Sequence, residues 1–295
     1  MNSDTVLACD VGGTRLRVAI VGPGGSVLHK EAVATPGDDP GALGRSMRQV
    51  REKARKPIAG AVVGVPGPVD YSRGEALKLP NLPAWEGRIS AARLSADVGL
   101  SVFLANDADL AALGEHRYGA GRGCQDMLYV TSSTGVGAGV IIAGQLLHGR
   151  LSLAEAGHTI IDRSTGETLE GLGSGTALTR AAGEDAAVVT SRAAHGDPDA
   201  LRHFASAAEA LAIGVFNLVH CFSPEVVVIG GGMSQAGELL LGPVRARLER
   251  CGPTCPASRA RVVQAQGGDD VGLLGGLAYW GDCRREEARV IAATE

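Results

Sequence analysis

Three observations predict an α/β chain of two domains. Apolar, strand-like runs alternate with helical segments. A pattern of strand, Gly/Thr-rich turn, strand, turn, strand opens the chain and recurs near Met127. The length, 295 residues, reaches the size at which single hydrophobic cores stop growing.

In chain order, Thr5 to Cys9 and Leu16 to Val21 are apolar runs separated by DVGGT. GPGG then signals a turn, and SVLHKEAVA reads as a third strand. Gly41 to Lys56 has helical character, IAGAVVGVPGP is a buried strand ending in a Gly-Pro loop, and Leu100 to Ala105 is another strand. NDADLAALGEHR opens a helix directly after it. GAGRGCQ breaks the pattern and marks the boundary near Tyr118 to Gln125. The second half opens with LYVTSSTGVGAGVIIAGQLLHG, which repeats the first motif in shape. Leu211, Val215, Leu218, Val219 and Phe222 fall on one face of a helix that Ser223-Pro224 stops. EVVVIGGGM is a buried strand, and a final helix starts near Asp270 with Gly275 and Gly276 placed for close packing. The expected domains are 1–118 and 119–280, with a C-terminal helix of about 281–295 packing back on the first.

Composition narrows the function. Hydrophobic residues make up 45% and aromatics only 3%, so the cores must be built from Ala, Val, Leu and Ile. A net charge of −4 argues against a nucleic-acid partner. The densest basic run, Arg45 to Lys56, reads as a solvated helix face. No signal peptide opens the chain, and no window approaches ~18 consecutive apolar residues, so no membrane partner is expected. Of the six cysteines, Cys9 and Cys221 fall in apolar runs and read as core residues. Cys251 and Cys255 flank GPT in a loop, where the absence of a neighbouring His argues against zinc. A soluble, reduced, cytoplasmic protein is the expectation.

Four glycine-rich turns offer backbone N–H groups to an anion: Asp10 to Thr14, Thr131 to Gly139, Gly171 to Gly175, and Gly230 to Gly232. A Walker A loop is absent, and DVGGT and STGVGAG lead into strands rather than helices, unlike a dinucleotide fingerprint. Asp10 beside such a turn calls for a cation carried on a nucleotide, or else accepts hydrogen bonds from its own turn. Asn106-Asp107 opens a helix at a strand end, where either residue caps the helix or a carboxylate serves as a base. Asp109 is a further carboxylate close by. In AEAGHTIIDRSTGETLEGLGSG, Glu155, His158 and Glu170 are open to reading as a metal site, a ligand site or a solvated loop.

DVGGT, Asn106-Asp107, STGVGAG and E-x-x-H in this order make the chain resemble a ROK-family sugar kinase over nearly its whole length. The most specific part is Gly135 to Val140, followed by Gly149 and then Ala154-Glu-Ala-Gly-His158. The resemblance implies an actin-like, ribonuclease-H-like fold of two domains around a cleft, a homodimer, and transfer of the ATP γ-phosphoryl group to the 6-hydroxyl of glucose. It makes Asp10, Gly12, Gly13 and Thr14 the first phosphate motif, with Asp10 meeting Mg²⁺ through the nucleotide. Thr134 and Gly135 become the second phosphate motif, and Gly230, Gly231 and Gly232 the turn beside the adenosine. Asp107 falls at the catalytic base. Asn81, Asn106, Asp107, Glu155, His158 and Glu170 fall at sugar-binding positions. The family's cysteine-rich zinc loop is replaced by TIIDRSTGETL, so no structural zinc is expected, and Ser132-Ser133 stands where apolar and glycine residues are usual. Other hexoses or N-acetylhexosamines, polyphosphate as donor, a non-catalytic sugar sensor and an actin-like ATPase acting on a protein are the competing readings.

Overall fold

The computed structural model describes residues 4–152 and 155–294. Two compact units make up the chain. Met1–Tyr118, His148–Ser152 and Gly267–Glu295 form the first, and Gly119–Leu147 and Leu153–Gln266 the second. The first unit thus takes the chain from Gly267 onward, rather than only about 281–295.

The first unit runs β1 (Val6–Val11), β2 (Arg15–Gly22), β3 (Ser26–Ala34), α1 (Gly41–Arg51), β4 (Gly60–Val65), β5 (Val69–Asp70), β6 (Glu75–Ala76), α2 (Ala91–Val98), β7 (Val102–Asn106) and α3 (Asp107–Tyr118). Its five-stranded sheet has the order β3-β2-β1-β4-β7. The first two pairs are antiparallel and the last two parallel. Successive side chains of a strand point to opposite faces, and the buried residues sort accordingly. Leu7, Cys9 and Val11 meet Met47, Val50, Leu94 and Val98 of α1 and α2 on one face. Val6 and Ala8 meet Leu110 of α3 on the other, together with Leu273, Leu277 and Trp280 of the C-terminal helix Val271–Thr294. Helices on both faces explain why β1 and β4 read as continuous apolar runs rather than alternating ones. They also explain why the whole C-terminal helix belongs here: its first turns fill a core. Within the basic run Arg45 pairs with Asp39 and Arg48 with Asp97, on an exposed helix flank.

The second unit repeats that plan. It runs β8 (Met127–Ser132), β9 (Val136–Ile142), β10 (Gln145–Leu146), β11 (Ile160–Asp162), β12 (Glu167–Thr168), α4 (Leu169–Gly173), α5 (Gly175–Ala182), α6 (Ala186–Ala194), α7 (Pro198–Phe222), β13 (Val226–Gly230), α8 (Glu238–Glu249) and β14 (Arg261–Gln264). Its sheet order is β10-β9-β8-β13-β14, with the same sequence of antiparallel and parallel pairs. The recurrence seen in the sequence is therefore a recurrence of topology.

Helix α7 is capped by Asp197, whose Oδ1 accepts from the N–H groups of Asp199 and Ala200, with Pro198 in its first turn. It ends at Ser223 in the left-handed region (φ 47°) before Pro224. Leu211, Val215, Leu218 and Val219 are buried as their spacing predicts. Among the described residues this helix alone is long and apolar enough to cross a membrane (mean hydropathy 1.5), but half of that stretch is buried within the protein. Cys221 is exposed, not a core residue, because its helical phase turns it away from the buried face.

A Cβ at Gly275 would collide with the carbonyl of Leu110, whereas one at Gly276 would meet Ala8 Cβ at 3.2 Å. Gly275→Ala is expected to cost about 1–3 kcal/mol through overpacking despite better helix propensity, and Gly276→Ala less. Urea denaturation of the two variants measures the difference.

Candidate active site

The first unit carries Asp10, Gly12, Gly13, Thr14, Asn81, Asn106 and Asp107. Asp10 lies near the end of β1, in register with Arg17 on β2. Arg17 Nη1 donates to Asp10 Oδ2 at 2.9 Å and to the Asp269 carbonyl at 3.2 Å. Burial raises the carboxyl pKa of Asp10, and the Arg17 charge and hydrogen bond oppose that shift. A carboxylate oxygen suits Mg²⁺, which ordinarily binds through one or two carboxylates plus substrate phosphates. Asp10 fits that use, with Arg17 steadying one of its oxygens.

Gly12, Gly13 and Thr14 form the β1–β2 turn. Gly12 N–H donates to the Arg15 carbonyl at 2.9 Å, and Thr35 Oγ1 donates to the Gly12 carbonyl at 2.7 Å. Thr35 N–H reaches the Thr14 carbonyl at 3.1 Å, so β3 pins the turn from outside. A Cβ at Gly13 would lie 2.6 Å from Asn81 Cβ. The fold thus seats an expected sugar residue directly against an expected phosphate turn.

Asn106 closes β7 and is buried. Its Oδ1 accepts from Ala108 N–H at 2.9 Å and Asp109 N–H at 3.2 Å, and its Nδ2 donates to the Gly67 carbonyl at 3.0 Å. The side-chain oxygen is therefore the N-cap of α3, filled by two helix donors. With both oxygen lone pairs taken, what Asn106 can still offer a hydroxyl is its second amide hydrogen, as a donor. Asp107 is the first residue of α3, and its Oδ1 accepts from Ala108 N–H at 2.8 Å. The exposed donors and dipole at a helix N-terminus favour a carboxylate there.

Asp109, two residues on, is fully buried. Tyr71 Oη donates to Asp109 Oδ2 at 2.6 Å and accepts from Asn106 N–H at 3.3 Å. Burial first, then the Asp109 charge, pushes the Tyr71 phenol far up, so it stays protonated and donating. Beside it, Asp70 Oδ1 accepts from Ser72 Oγ at 2.6 Å and from the N–H groups of Ser72 and Arg73, ordering the turn that carries Tyr71. Sequence reasoning missed Tyr71 and Arg17. The signal available for the first was a tyrosine in PVDYSRGEA within a chain that has only four. Arg17 becomes visible once the hairpin register is drawn.

The second unit carries Thr134, Gly135, Glu155, His158, Glu170 and the glycines 230–232. Thr134 and Gly135 form the β8–β9 turn, closed by Ser133 N–H to the Gly135 carbonyl at 2.9 Å. Thr176 Oγ1 donates to the Thr134 carbonyl at 2.7 Å, and Gly175 N–H to that of Ser133 at 2.6 Å. The stretch Gly171 to Gly175 is thereby a junction of α4 and α5, not a free anion turn. Ser132 is buried and its hydroxyl donates to the Gly173 carbonyl at 2.9 Å, a polar tie where an apolar contact is usual.

Glu170 lies in the first turn of α4, which Thr168 caps by accepting from Gly171 N–H at 3.0 Å. Its Oε2 accepts from Val136 N–H at 2.9 Å, and a Cβ at Gly135 would strike that same oxygen. Glu155 is close enough for the Glu170 charge to raise its carboxyl pKa, after burial and against the pull of His158. His158 Nε2 stands 3.8 Å from Glu155 Oε2, beyond hydrogen-bond range, with its side chain 71% exposed. Among the described residues no hydrogen bond orients the ring, because the short turn Ala156–His158 leaves it in solvent. Ala154 of the same motif lies outside the described residues. Gly231, at φ 84°, approaches the Ser132 carbonyl, so the 230–232 turn abuts the end of β8.

A match to the ROK family spans residues 6–282. A glucokinase of Thermotoga maritima is 31% identical over 303 residues, 92% of this chain and 95% of its own length. The ROK family glucokinase from Streptomyces griseus, solved with glucose and AMPPNP, superposes with a TM-score of 0.81 at 30% identity, covering 94% of this chain and 98% of its own. The ROK hexokinase from Thermus thermophilus gives a TM-score of 0.81 at 31% identity, covering 95% and 99%.

Replacing Tyr71 by Phe removes the phenol donor from a buried carboxylate while keeping the ring. Tyr71→Phe is expected to destabilise the protein by about 1–3 kcal/mol, measured by reversible denaturation at pH 7. A variant as stable as the parent would remove Tyr71 from the network.

Proposed function

The chain belongs to the ROK family, and on that premise we propose that it is a sugar kinase moving the γ-phosphoryl group of ATP to a hexose, the 6-hydroxyl of glucose first. The observation carrying this reading is the placement of Asp107: first residue of α3, at the carboxyl end of a parallel strand, with its helix start fixed by Asn106 and Tyr71.

In the proposed reaction Asp107 accepts the proton of the sugar hydroxyl as that oxygen attacks the γ-phosphorus and ADP departs. The phosphate turns Gly12-Gly13-Thr14 and Thr134-Gly135 supply N–H and hydroxyl donors to the transferring oxygens. The Gly230-Gly231-Gly232 turn serves the adenosine. Charge in such a loose transition state is spread over those oxygens, so positioned donors provide most of the acceleration. Asp10 would hold Mg²⁺ through the nucleotide, and the ion when bound neutralises phosphate charge. Asn81, Glu155, His158 and Glu170 are proposed to bind sugar hydroxyls, which both donate and accept. Asn106 contributes mainly by holding α3, with one amide hydrogen left for a ligand. The enzyme is proposed to be soluble, cytoplasmic and a homodimer.

A panel of hexoses and N-acetylhexosamines, assayed with ATP and with polyphosphate, tests the reading. Glucose with ATP is expected to give the 6-phosphate, and failure of every sugar with both donors would sink it. Asp107→Asn is expected to lower kcat by about 10²–10⁴ while the sugar Kd stays within a few-fold, measured by steady-state kinetics and calorimetry.

A further inference from the structure

The second unit gathers a nitrogen and two sulfurs that the proposed kinase chemistry does not use. His220 lies near the end of α7, Cys251 follows α8, and Cys255 precedes the short 3₁₀ turn Pro256–Arg259. Their ligand atoms lie within 4.8 Å of one another. We propose that His220, Cys251 and Cys255 bind one zinc ion, with water in the fourth position.

The chemistry suits zinc, which takes thiolate and imidazole ligands, often with a pair of cysteines separated by two to four residues. Cys251-Gly-Pro-Thr-Cys255 has three residues between them. Bonds of about 2.3 Å to sulfur and about 2.0–2.1 Å to nitrogen, set at tetrahedral angles, bring N and S ligands to about 3.6 Å apart. Cys255 Sγ stands 3.5 Å from His220 Nε2. The other ring nitrogen, Nδ1, is 2.9 Å from the Phe216 carbonyl, one helical turn back. A carbonyl only accepts, so Nδ1 carries the hydrogen and Nε2 presents its lone pair toward the cysteines. An outer hydrogen bond of this kind commonly orients a metal-binding histidine. The loop itself is tightly turned: Gly252 sits at φ 85°, and Cys255 N–H donates to its carbonyl at 3.1 Å. Cys255 and Cys251 are half-buried and His220 exposed, leaving the pocket open to an ion from solvent.

Zinc here shares no residue with the family loop that the chain lacks. It also revises the expectation drawn from the sequence, where Cys251 and Cys255 had no nearby histidine. The missing ligand arrives from α7, more than thirty positions away in the chain. A bound ion would tie the end of α7, the main core helix of the unit, to the turn that follows α8. With three protein ligands the site is an exchangeable one, not a closed structural centre.

The test uses the full-length chain, reduced with a phosphine, stripped with a chelator and titrated with Zn²⁺, with Co²⁺ as the optical probe. One equivalent is expected per chain, with a thiolate-to-cobalt charge-transfer band. Cys251→Ser, Cys255→Ser and His220→Ala should each weaken Zn²⁺ binding by more than the ~10–100-fold that loss of an outer-shell partner costs. Cys221→Ser and His158→Ala should retain it. Circular dichroism confirms that each variant is folded, and the wild-type cobalt spectrum stands independently of all of them. A reduced chain that takes up no ion overturns the proposal. So does a cobalt spectrum without a thiolate band, or unchanged affinity in a folded Cys251→Ser/Cys255→Ser variant. A chain isolated with a Cys251–Cys255 disulfide, and taking no Zn²⁺ once reduced, overturns it too.

Discussion

The amide of Asn106 is the fastening on which the candidate site depends. Three backbone groups converge on it: two N–H donors of α3 and the carbonyl of Gly67. A strand ending in Asn106 would otherwise leave the first donors of α3 without acceptors in a buried setting, which is costly. Tyr71 completes the clamp by accepting from Asn106 N–H and donating to Asp109. The backbone entry into α3 is therefore overdetermined, and Asp107 inherits its position from it. Such rigidity suits the role of proton acceptor proposed for Asp107, since small misplacements of reacting groups cost large factors in rate.

The same economy of contact recurs at the glycine turns. Gly13 lets the first turn meet Asn81, and Gly135 lets the second meet Glu170. In each unit a turn proposed to meet phosphate is thereby set beside a side chain proposed to meet a sugar hydroxyl. The two sheets share one strand order and one sequence of pairings, so equivalent hairpins present equivalent turns. The proposed kinase function is what assigns these paired features a chemical role.

Local order was legible in the sequence wherever it follows from local rules. The strands came from apolar runs, the turns from Gly and Thr chemistry, and the α7 face from helical spacing. What escaped depends on distant parts of the chain meeting. Arg17 reaches Asp10 only through hairpin register, Tyr71 reaches Asp109 across thirty-odd residues, and α7 carries His220 to Cys255. The extent of the C-terminal helix in the first unit was undercounted for the same reason, since its core partners lie on β1, β4 and α3. Cys221 was misread because an apolar run does not by itself say which helical face a residue occupies. For Asn106 the cap was legible as one of the roles the sequence offered, and its hydrogen bonds show that cap.

The choice between holding the proposed base and holding the sugar is where the central claim is most exposed. Asn106→Ala, compared with the parent for kcat and for hexose Kd by calorimetry, separates the two. If Asn106 acts by fixing α3 and Asp107, kcat falls at least about tenfold while the hexose Kd changes by no more than a few-fold. A hexose Kd weakened more than tenfold with kcat intact would contradict that claim.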